Sequence, residues 1–374
     1  MKVLITGGAG FVGANFVHYL LRERPGTRVV VLDALTYAGN RSNLPIAKSS
    51  ALRFVQGNIC DATLVEALLR EEHIDTIVHF AAESYVDAAV QRPDAFLETN
   101  VIGTHCLLRC ARKIWLLEQS IDRHHFHHVS TDIVFGDKEE ILPPTTANYA
   151  PNTPYGASKV ASDVLVRTYH QTYGLKTTTS NCSNAYGPLQ YPDRLIPRMI
   201  VRCLLGKDLP VYGDGSNTRD WIHINDLCYA LDLMLTRSTP GEAYPVGGDS
   251  ERRNIDVVRH ICSAINDAFM RNPSLKQLFP HCLAALGRDT SSSIHLASRP
   301  DLSIHPPLDC SKTKLTLGYH PSVSFAEGLN DTIQWYVSNH WWWAWTVQDA
   351  HVIGDDTTPI TAGESQSSGH ASIG

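Results

Sequence analysis

A glycine-rich turn, Gly7-Gly8-Ala9-Gly10-Phe11-Val12-Gly13, lies between a β-branched run at Val3 to Ile5 and an apolar-periodic stretch from Phe11 to Arg24. Three glycines at this spacing, after a strand and opening a helix, leave few folds available. Gly7 permits a tight turn out of the strand. Gly10 lets the backbone approach a pyrophosphate, and Gly13 lets the helix pack on its strand. The helix N-terminus, opened by Phe11 and Val12, then faces the phosphate charge. Asp33 closes the second strand about 20 residues beyond the last glycine, where a carboxylate accepts hydrogen bonds from ribose hydroxyls. Its charge repels a 2′-phosphate, so the expected cofactor is NAD rather than NADP. Asn58 and Ile59 after the third strand, and Ala81 after the fourth, are expected to border it. Asn58 is placed to touch the adenine.

The first half of the chain keeps the rhythm this motif requires. Val3 to Ile5, Arg28 to Leu32, Arg53 to Val55, Thr76 to Phe80, Phe126 to Ser130 and Lys176 to Asn181 read as strands. Helical patterns at Phe11 to Arg24, Ala62 to Glu72, Asp94 to Glu118 and Pro154 to Tyr173 separate most of them. Such alternation implies right-handed crossovers and a parallel sheet. The expected class is α/β, a Rossmann-type doubly wound sheet with a smaller C-terminal α/β lobe. Residues 1–183 form the cofactor domain, with some later strands returning to its sheet, and 184–345 form mainly a substrate lobe. Pro188, Pro192, Pro197 and Pro210 punctuate the second half, whose helices look shorter. Residues 351–374 are rich in Gly, Ser, Thr and Asp and predict a disordered tail.

Chemistry concentrates where the fifth strand ends, at Ser130-Thr131-Asp132-Ile133, and at Tyr155-Gly156-Ala157-Ser158-Lys159. Tyr155 and Lys159 stand at i and i+4, on one helix face. An ammonium beside a phenol favours the phenolate, so Tyr155 is expected to act as a base closer to neutral pH. Thr131 can hold a substrate hydroxyl beside it.

These segments together resemble the extended short-chain dehydrogenase/reductases, and within them the dTDP-glucose 4,6-dehydratase family. The resemblance extends through Leu35-Thr36-Tyr37-Ala38-Gly39-Asn40, His79-Phe80-Ala81-Ala82-Glu83-Ser84, Asn181-Cys182-Ser183-Asn184, Leu195-Ile196-Pro197 and Arg219-Asp220-Trp221, over about residues 1–340. It implies transient oxidation of a sugar hydroxyl by Tyr155, Lys159 and NAD, loss of water and return of hydride. In that family an Asp–Glu pair carries the dehydration. Asp132 keeps the acid's place, and Ile133 stands where the base belongs. A drier pocket there should raise the proton affinity of Asp132. Glu83, Ser84, Asn184, Arg219 and Arg299 are the implied substrate residues, the two arginines as diphosphate ligands. Other departures are Tyr85-Val86-Asp87-Ala88-Ala89 for His-Val-Asp-Arg-Ser, and Arg299-Pro300-Asp301-Leu302-Ser303 for Arg-Pro-Gly-His-Asp. The implied activity is dehydration of a nucleotide-linked or nucleoside sugar, with Tyr155 or Glu83 replacing the lost base and an unsaturated sugar as a product. A 4-epimerase, or a non-catalytic NAD-binding regulator, are the rival readings. The resemblance also implies a homodimer through a four-helix interface.

Composition narrows the partners. A net charge of -6 argues against nucleic acid. Nine cysteines without a CxxC pair suit reduced thiols in the cytoplasm. The chain starts directly on a strand pattern, so no signal peptide is expected, and no apolar run reaches a membrane span. His124-His125-Phe126-His127-His128 alternates across a strand and lacks a matching carboxylate or Cys cluster, so no metal is expected. Trp341, Trp342, Trp343 and Trp345 read as packing on the lobe or a partner chain rather than a membrane belt.

Overall fold

The computed structural model describes residues 1–45, 51–85, 89, 91–118, 123–136, 149–298 and 308–348. The first six strands are β1 (Lys2–Thr6), β2 (Arg28–Asp33), β3 (Leu52–Gln56), β4 (Thr76–His79), β5 (His125–Thr131) and β6 (Thr177–Cys182). Later strands are β7 (Asn184–Tyr186), β8 (Leu209–Tyr212), β9 (Thr218–His223), β10 (Ala243–Val246), β11 (Glu251–Arg253) and β12 (Ile294–Ala297). The main sheet has seven strands in the order β10-β6-β5-β4-β1-β2-β3. Every pairing within it is parallel. Strand order reverses at β1, which has β2 on one side and β4 on the other. The crevice at the C-terminal ends of β1 and β4 is therefore where such a sheet takes its ligands.

Alternation along the strands builds two cores. Val3, Ile5, Val29, Val31 and Val78 face the helices Phe11–Glu23 and Ile224–Arg237. Leu4, Val30, Leu32, Ile77 and Phe126 face the helices Ala62–Glu71 and Thr104–Ala111. Strands buried on both faces read as continuous Val/Ile/Leu runs, as these do. The helix Pro154–Tyr173 is capped by Thr153, whose hydroxyl accepts from Gly156 N, and its first residue is proline. The helical stretch before β5 runs from Pro93 to Glu118 but carries two π-helical segments, Leu97–Gly103 and Arg112–Glu118.

The second half departs from the expectation of shorter helices. Asn254–Arg271 spans 18 residues, and Ile224–Arg237 and Phe325–Ser338 span 14 each. Pro188, Pro192 and Pro210 lie outside helices, while Pro197 sits in the first turn of Leu195–Leu204, where proline costs nothing. These helices enclose a third core that includes Ile200, Val258, Ile261, Leu329, Ile333, Trp342 and Trp343. Trp342 and Trp343 are thus packed inside, whereas Trp341 and Trp345 are exposed. The tail from 349 onward lies outside the described residues.

Asn43 ties the two halves at the glycine turn. Its amide nitrogen donates to Ala9 O at 2.8 Å, and its side-chain oxygen accepts from Trp342 Nε1 at 2.7 Å. Asn43 is 2% exposed, so truncation strands the Trp342 indole N–H away from water. Asn43→Ala is expected to cost about 2 kcal/mol or more. Urea unfolding monitored by circular dichroism measures it, and an unchanged midpoint would remove this clamp from the account.

Candidate active site

The glycine turn has the shape expected of a phosphate cradle. Gly7 has φ of 69°, and a Cβ there would stand 2.6 Å from Ala81 N. A Cβ on Gly13 would meet Gly7 O at 2.4 Å, so the helix lies directly on the turn. A Cβ on Gly10 would find nothing nearer than Gly7 O at 3.4 Å, which leaves that side open to a ligand. Gly10 caps the helix without any side-chain bond, and its first turn carries no acidic residue. The N–H groups at Phe11 and Val12 are therefore offered to an external anion. Asp33 is buried, and its carboxylate accepts from Ala9 N and Leu35 N, each at 2.8 Å. Burial raises its proton affinity and the two N–H bonds oppose the rise. These residues fit a dinucleotide.

The remaining cofactor candidates sit at the same edge. Ala81 N donates to Thr6 Oγ1 at 3.4 Å against the back of Gly7. Ile59 is buried beside Gly103 in the core on that face. Asn58 turns its side-chain oxygen back to Cys60 N at 2.9 Å, closing a local turn.

The catalytic candidates converge at the ends of β5 and β6. Thr131 ends β5 and caps a short 3-10 turn, accepting from Ile133 N at 3.3 Å and donating to Asp132 Oδ1 at 3.0 Å. Burial pushes the Asp132 carboxyl up to about 6, against the Thr131 hydrogen bond and the charge of Arg219. Ile133 packs with Ala89, Ala95, Phe96 and Tyr155 in a small apolar cluster. The expected dryness beside Asp132 is therefore present.

Tyr155 differs from expectation. Its phenol is pushed up to about 12 by burial, and the cation that most offsets this is Arg194. Lys159 is buried on the same helix and donates to Val129 O at 2.9 Å. The i, i+4 spacing places both on one face, and β5 supplies the acceptor for the longer side chain. Burial lowers the Lys159 ammonium to about 8.

Of the substrate candidates, Glu83 is anchored through its backbone. Its N–H donates to Asn100 Oδ1 at 2.8 Å and its carbonyl accepts from Asn100 Nδ2 at 3.0 Å. Burial raises the Glu83 carboxyl and Arg92 opposes it. Ser84 O accepts from Arg194 Nη2 at 2.5 Å. Asn184 opens β7 opposite Trp221, and Arg219 lies on β9 opposite Arg252. Arg299 falls outside the described residues.

Sequence reasoning passed over Arg194 and Asn100. Arg194 stands at the head of the helix Leu195–Leu204, and its charge interacts with Tyr37, Tyr85 and Tyr155. Its signal was a cation immediately before Leu195-Ile196-Pro197. Asn100 is 1% exposed and also donates to Ser158 Oγ at 2.9 Å, joining the Glu83 loop to the helix that carries Tyr155. A lone amide within an apolar helix face was its signal. The histidine strand is internally occupied. His127 and His125 share Thr178 Oγ1, and His124 Nε2 accepts from Lys176 N. Among the described residues, no group of three or more His, Cys, Asp or Glu is arranged to hold a metal.

A carboxyl with folded affinity near 6 and an ordinary value near 3.8 binds its proton more tightly folded than unfolded. Its contribution is complete at low pH and is lost as pH rises through about 6. Asp132→Asn is therefore expected to melt at a higher temperature than the parent above that pH, with the gap closing toward pH 4. A gap that does not change with pH would place Asp132 in water.

Comparison with known proteins adds to this geometry. The family described as GDP-mannose 4,6 dehydratase matches residues 4–332. The dTDP-glucose 4,6-dehydratase of Xanthomonas campestris pv. campestris (strain B100) is 45% identical over 344 residues, 91% of this chain and 94% of its own. That of Escherichia coli is 39% identical, over 95% of this chain and 98% of its own. Among solved structures, the dTDP-glucose 4,6-dehydratase of Streptomyces venezuelae, solved with NAD, superposes with a TM-score of 0.79 at 41% identity, covering 92% of this chain and 99% of that one. The UDP-glucose 4-epimerase of Thermotoga maritima superposes with a TM-score of 0.74 at 25% identity, covering 91% and 100%. The chain belongs to the GDP-mannose 4,6 dehydratase family of extended short-chain dehydrogenases/reductases, and its relatives by sequence within that family are dTDP-glucose 4,6-dehydratases.

Proposed function

We propose that this protein is an NAD-dependent dehydratase of a nucleotide-linked sugar. Gly7, Gly10, Gly13 and Asp33 hold the dinucleotide, with Phe11, Val12, Asn58, Ile59 and Ala81 around it. When bound, NAD accepts hydride from a carbinol carbon and can give it back. Tyr155 takes the hydroxyl proton, with Arg194 and Lys159 as the nearby cations and Thr131 holding the sugar. The observation that carries the reading is Asp132. A carboxyl raised to about 6 in a cleft shared with Tyr155 is matched to protonating a leaving hydroxyl near neutral pH. Ile133 cannot remove the proton next to the carbonyl, so that task falls to Tyr155 or to Glu83. With no group dedicated to giving that proton back, the hydride returns to the oxidised carbon after water is lost, and an unsaturated sugar is the expected product. Glu83, Ser84, Asn184, Arg219 and Arg299 serve the sugar and its phosphates.

Ile133 is also the one feature that favours a 4-epimerase, which needs the Tyr/Lys pair without an acid or second base. Product mass spectrometry over dTDP-, UDP- and GDP-linked sugars separates the two. Loss of one water marks the dehydratase, and an isobaric product marks the epimerase. Asp132→Asn is expected to lose dehydration yet still show transient nicotinamide reduction. Tyr155→Phe, with the fold intact, should lose about 100-fold or more in turnover. If Asp132→Asn works at the parent rate, the dehydratase reading falls.

The homodimer belongs to the same proposal. Leu97, Ile102, Leu117, Val164 and Tyr173 are exposed apolar residues on the paired helical segments 93–118 and 154–173. Two such pairs would make a four-helix interface. Ile102→Glu should shift the sedimentation coefficient to that of a monomer without loss of helicity, and an unchanged coefficient would exclude this face. All nine cysteines are free thiols, as a reducing cytoplasm allows. Among the described residues, no helix is long and apolar enough to cross a membrane.

A further inference from the structure

Beneath Tyr155 lies a buried group of charges that the proposed chemistry does not use directly. Asp163 is one turn beyond Lys159 on the same helix and is 2% exposed. Its Oδ2 accepts from Tyr149 OH at 2.8 Å and from Asn181 Nδ2 at 3.1 Å. Its Oδ1 faces His128 Nε2 at 3.3 Å. The same His128 nitrogen stands 3.3 Å from Lys159 Nζ. One imidazole thus separates a buried ammonium from a buried carboxylate.

The ring can serve only one of them at a time. A neutral imidazole offers either N–H or a lone pair at Nε2. His128 Nδ1 is buried without a hydrogen-bond partner. Asp163 Oδ1 likewise has no hydrogen-bond partner, so the ring's Nε2 serves the Lys159 ammonium as an acceptor at 3.3 Å. Lys159 also donates to Val129 O. Burial and the neighbouring Lys159 hold His128 neutral, as burial with His128 and Lys159 does for His79, whose ring lies 5.2 Å away. Besides Asp163, the other titratable group that raises the Lys159 affinity is the Cys182 thiol, itself pushed up to about 12 and so uncharged.

We propose that Asp163, held by Tyr149 and Asn181 and facing Lys159 across the His128 ring, is the fixed counter-charge that keeps Lys159 an ammonium on the helix that carries Tyr155. It touches neither cofactor nor substrate and is a positioning residue. Burial alone would strip Lys159 of its proton, and Asp163 opposes that loss. The Lys159 charge and the side chains of Ser130, Tyr149 and Asn181 in turn oppose the burial that would protonate the carboxylate. The consequence for catalysis rests on the Tyr155/Lys159 reading given above, whereas the charge state of Lys159 does not.

The test reads Lys159 directly. Protein labelled with carbon-13 at the lysine ε-carbon is titrated, and the Lys159 resonance is the one missing from Lys159→Arg. In Asp163→Asn the midpoint is expected to fall by about one pH unit or more, the scale of losing an opposite charge nearby. Asp163→Glu, which keeps the charge, should restore most of it. Tyr149→Phe removes one of the donors that hold the carboxylate ionised and should also lower the midpoint, which covers the case in which Asp163→Asn does not fold. A midpoint that stays at the parent value in either folded variant overturns the proposal. Turnover is the separate arm. In Asp163→Asn its alkaline limb should move to lower pH along with the Lys159 midpoint. A Lys159 midpoint that falls while that limb stays in place would instead count against the catalytic reading of Lys159.

Discussion

Removal of water from the C-terminal edge of the sheet is the constraint on which the chemistry of this protein depends. Tyr155, Lys159 and Asp163 are all buried, and Asp132 lies among them under the same desolvation. Burial alone penalises every charge, so each group moves toward its neutral form. Asp132 rises, Tyr155 rises and Lys159 falls. Those directions suit the proposed roles unequally. A raised carboxyl is a better acid, but a raised phenol is a worse base. Arg194 is the cation that offsets at Tyr155 what burial takes away, and it and Lys159 are each held by a neighbour. Arg194 is fixed by Ser84 O and Lys159 by Val129 O.

The scaffold explains how so many buried polar groups are tolerated. β5 and β6 are paired in register from Phe126↔Thr177 to Thr131↔Cys182. Polar side chains stand on both faces of this pair. On one, His127 meets Thr178 at 2.8 Å and Ser180 at 3.1 Å, and on the other Asn181 meets Asp163. A polar seam of this kind survives only where nearly every member has a partner. The second lobe is fastened with the same economy. Asp226 accepts from Ser322 N, Ser322 Oγ and Val323 N, which fixes the entry to the helix Phe325–Ser338. Trp342, four residues beyond that helix, reaches Asn43 at the glycine turn.

What could be read from the sequence was whatever depends on local order. The six strands of the first half lie within two residues of their expected bounds, because Val/Ile/Leu runs between turn residues have one reading in a doubly wound sheet. The helix Pro154–Tyr173 was legible as a span, and the structure adds its Thr153 cap. The glycine turn, Thr131, Asp132, Tyr155 and Lys159 were legible because their spacing along one element fixes their mutual placement. Arg194 and Asn100 were not, since each acts across more than 15 residues of sequence on a loop placed by tertiary packing. The strand-like alternation of His124 to His128 was visible, but its purpose depended on which residues of β6 lie opposite. The neighbours of Lys159 were hidden for a related reason. Helical spacing gives a shared face, and it does not say which neighbour draws a long flexible side chain.

The exchange of a carboxylate for Ile133 has an electrostatic consequence beyond the loss of a base. The phenolate of Tyr155 is already opposed by the charges of Asp132 and Asp163. A glutamate at 133 would lie in the apolar cluster that touches Tyr155, adding a third negative charge against it. Isoleucine removes that opposition and preserves the packing against Phe96 and Ala89. It also leaves the rise of Asp132 mainly to desolvation, with Asp220 as the neighbouring carboxylate that adds to it. The substitution thus weakens one proton acceptor and strengthens another in the same cleft. On the proposed reading, proton abstraction and hydroxyl oxidation then converge on Tyr155, and a phenol that must serve twice depends more heavily on the ammonium beneath it.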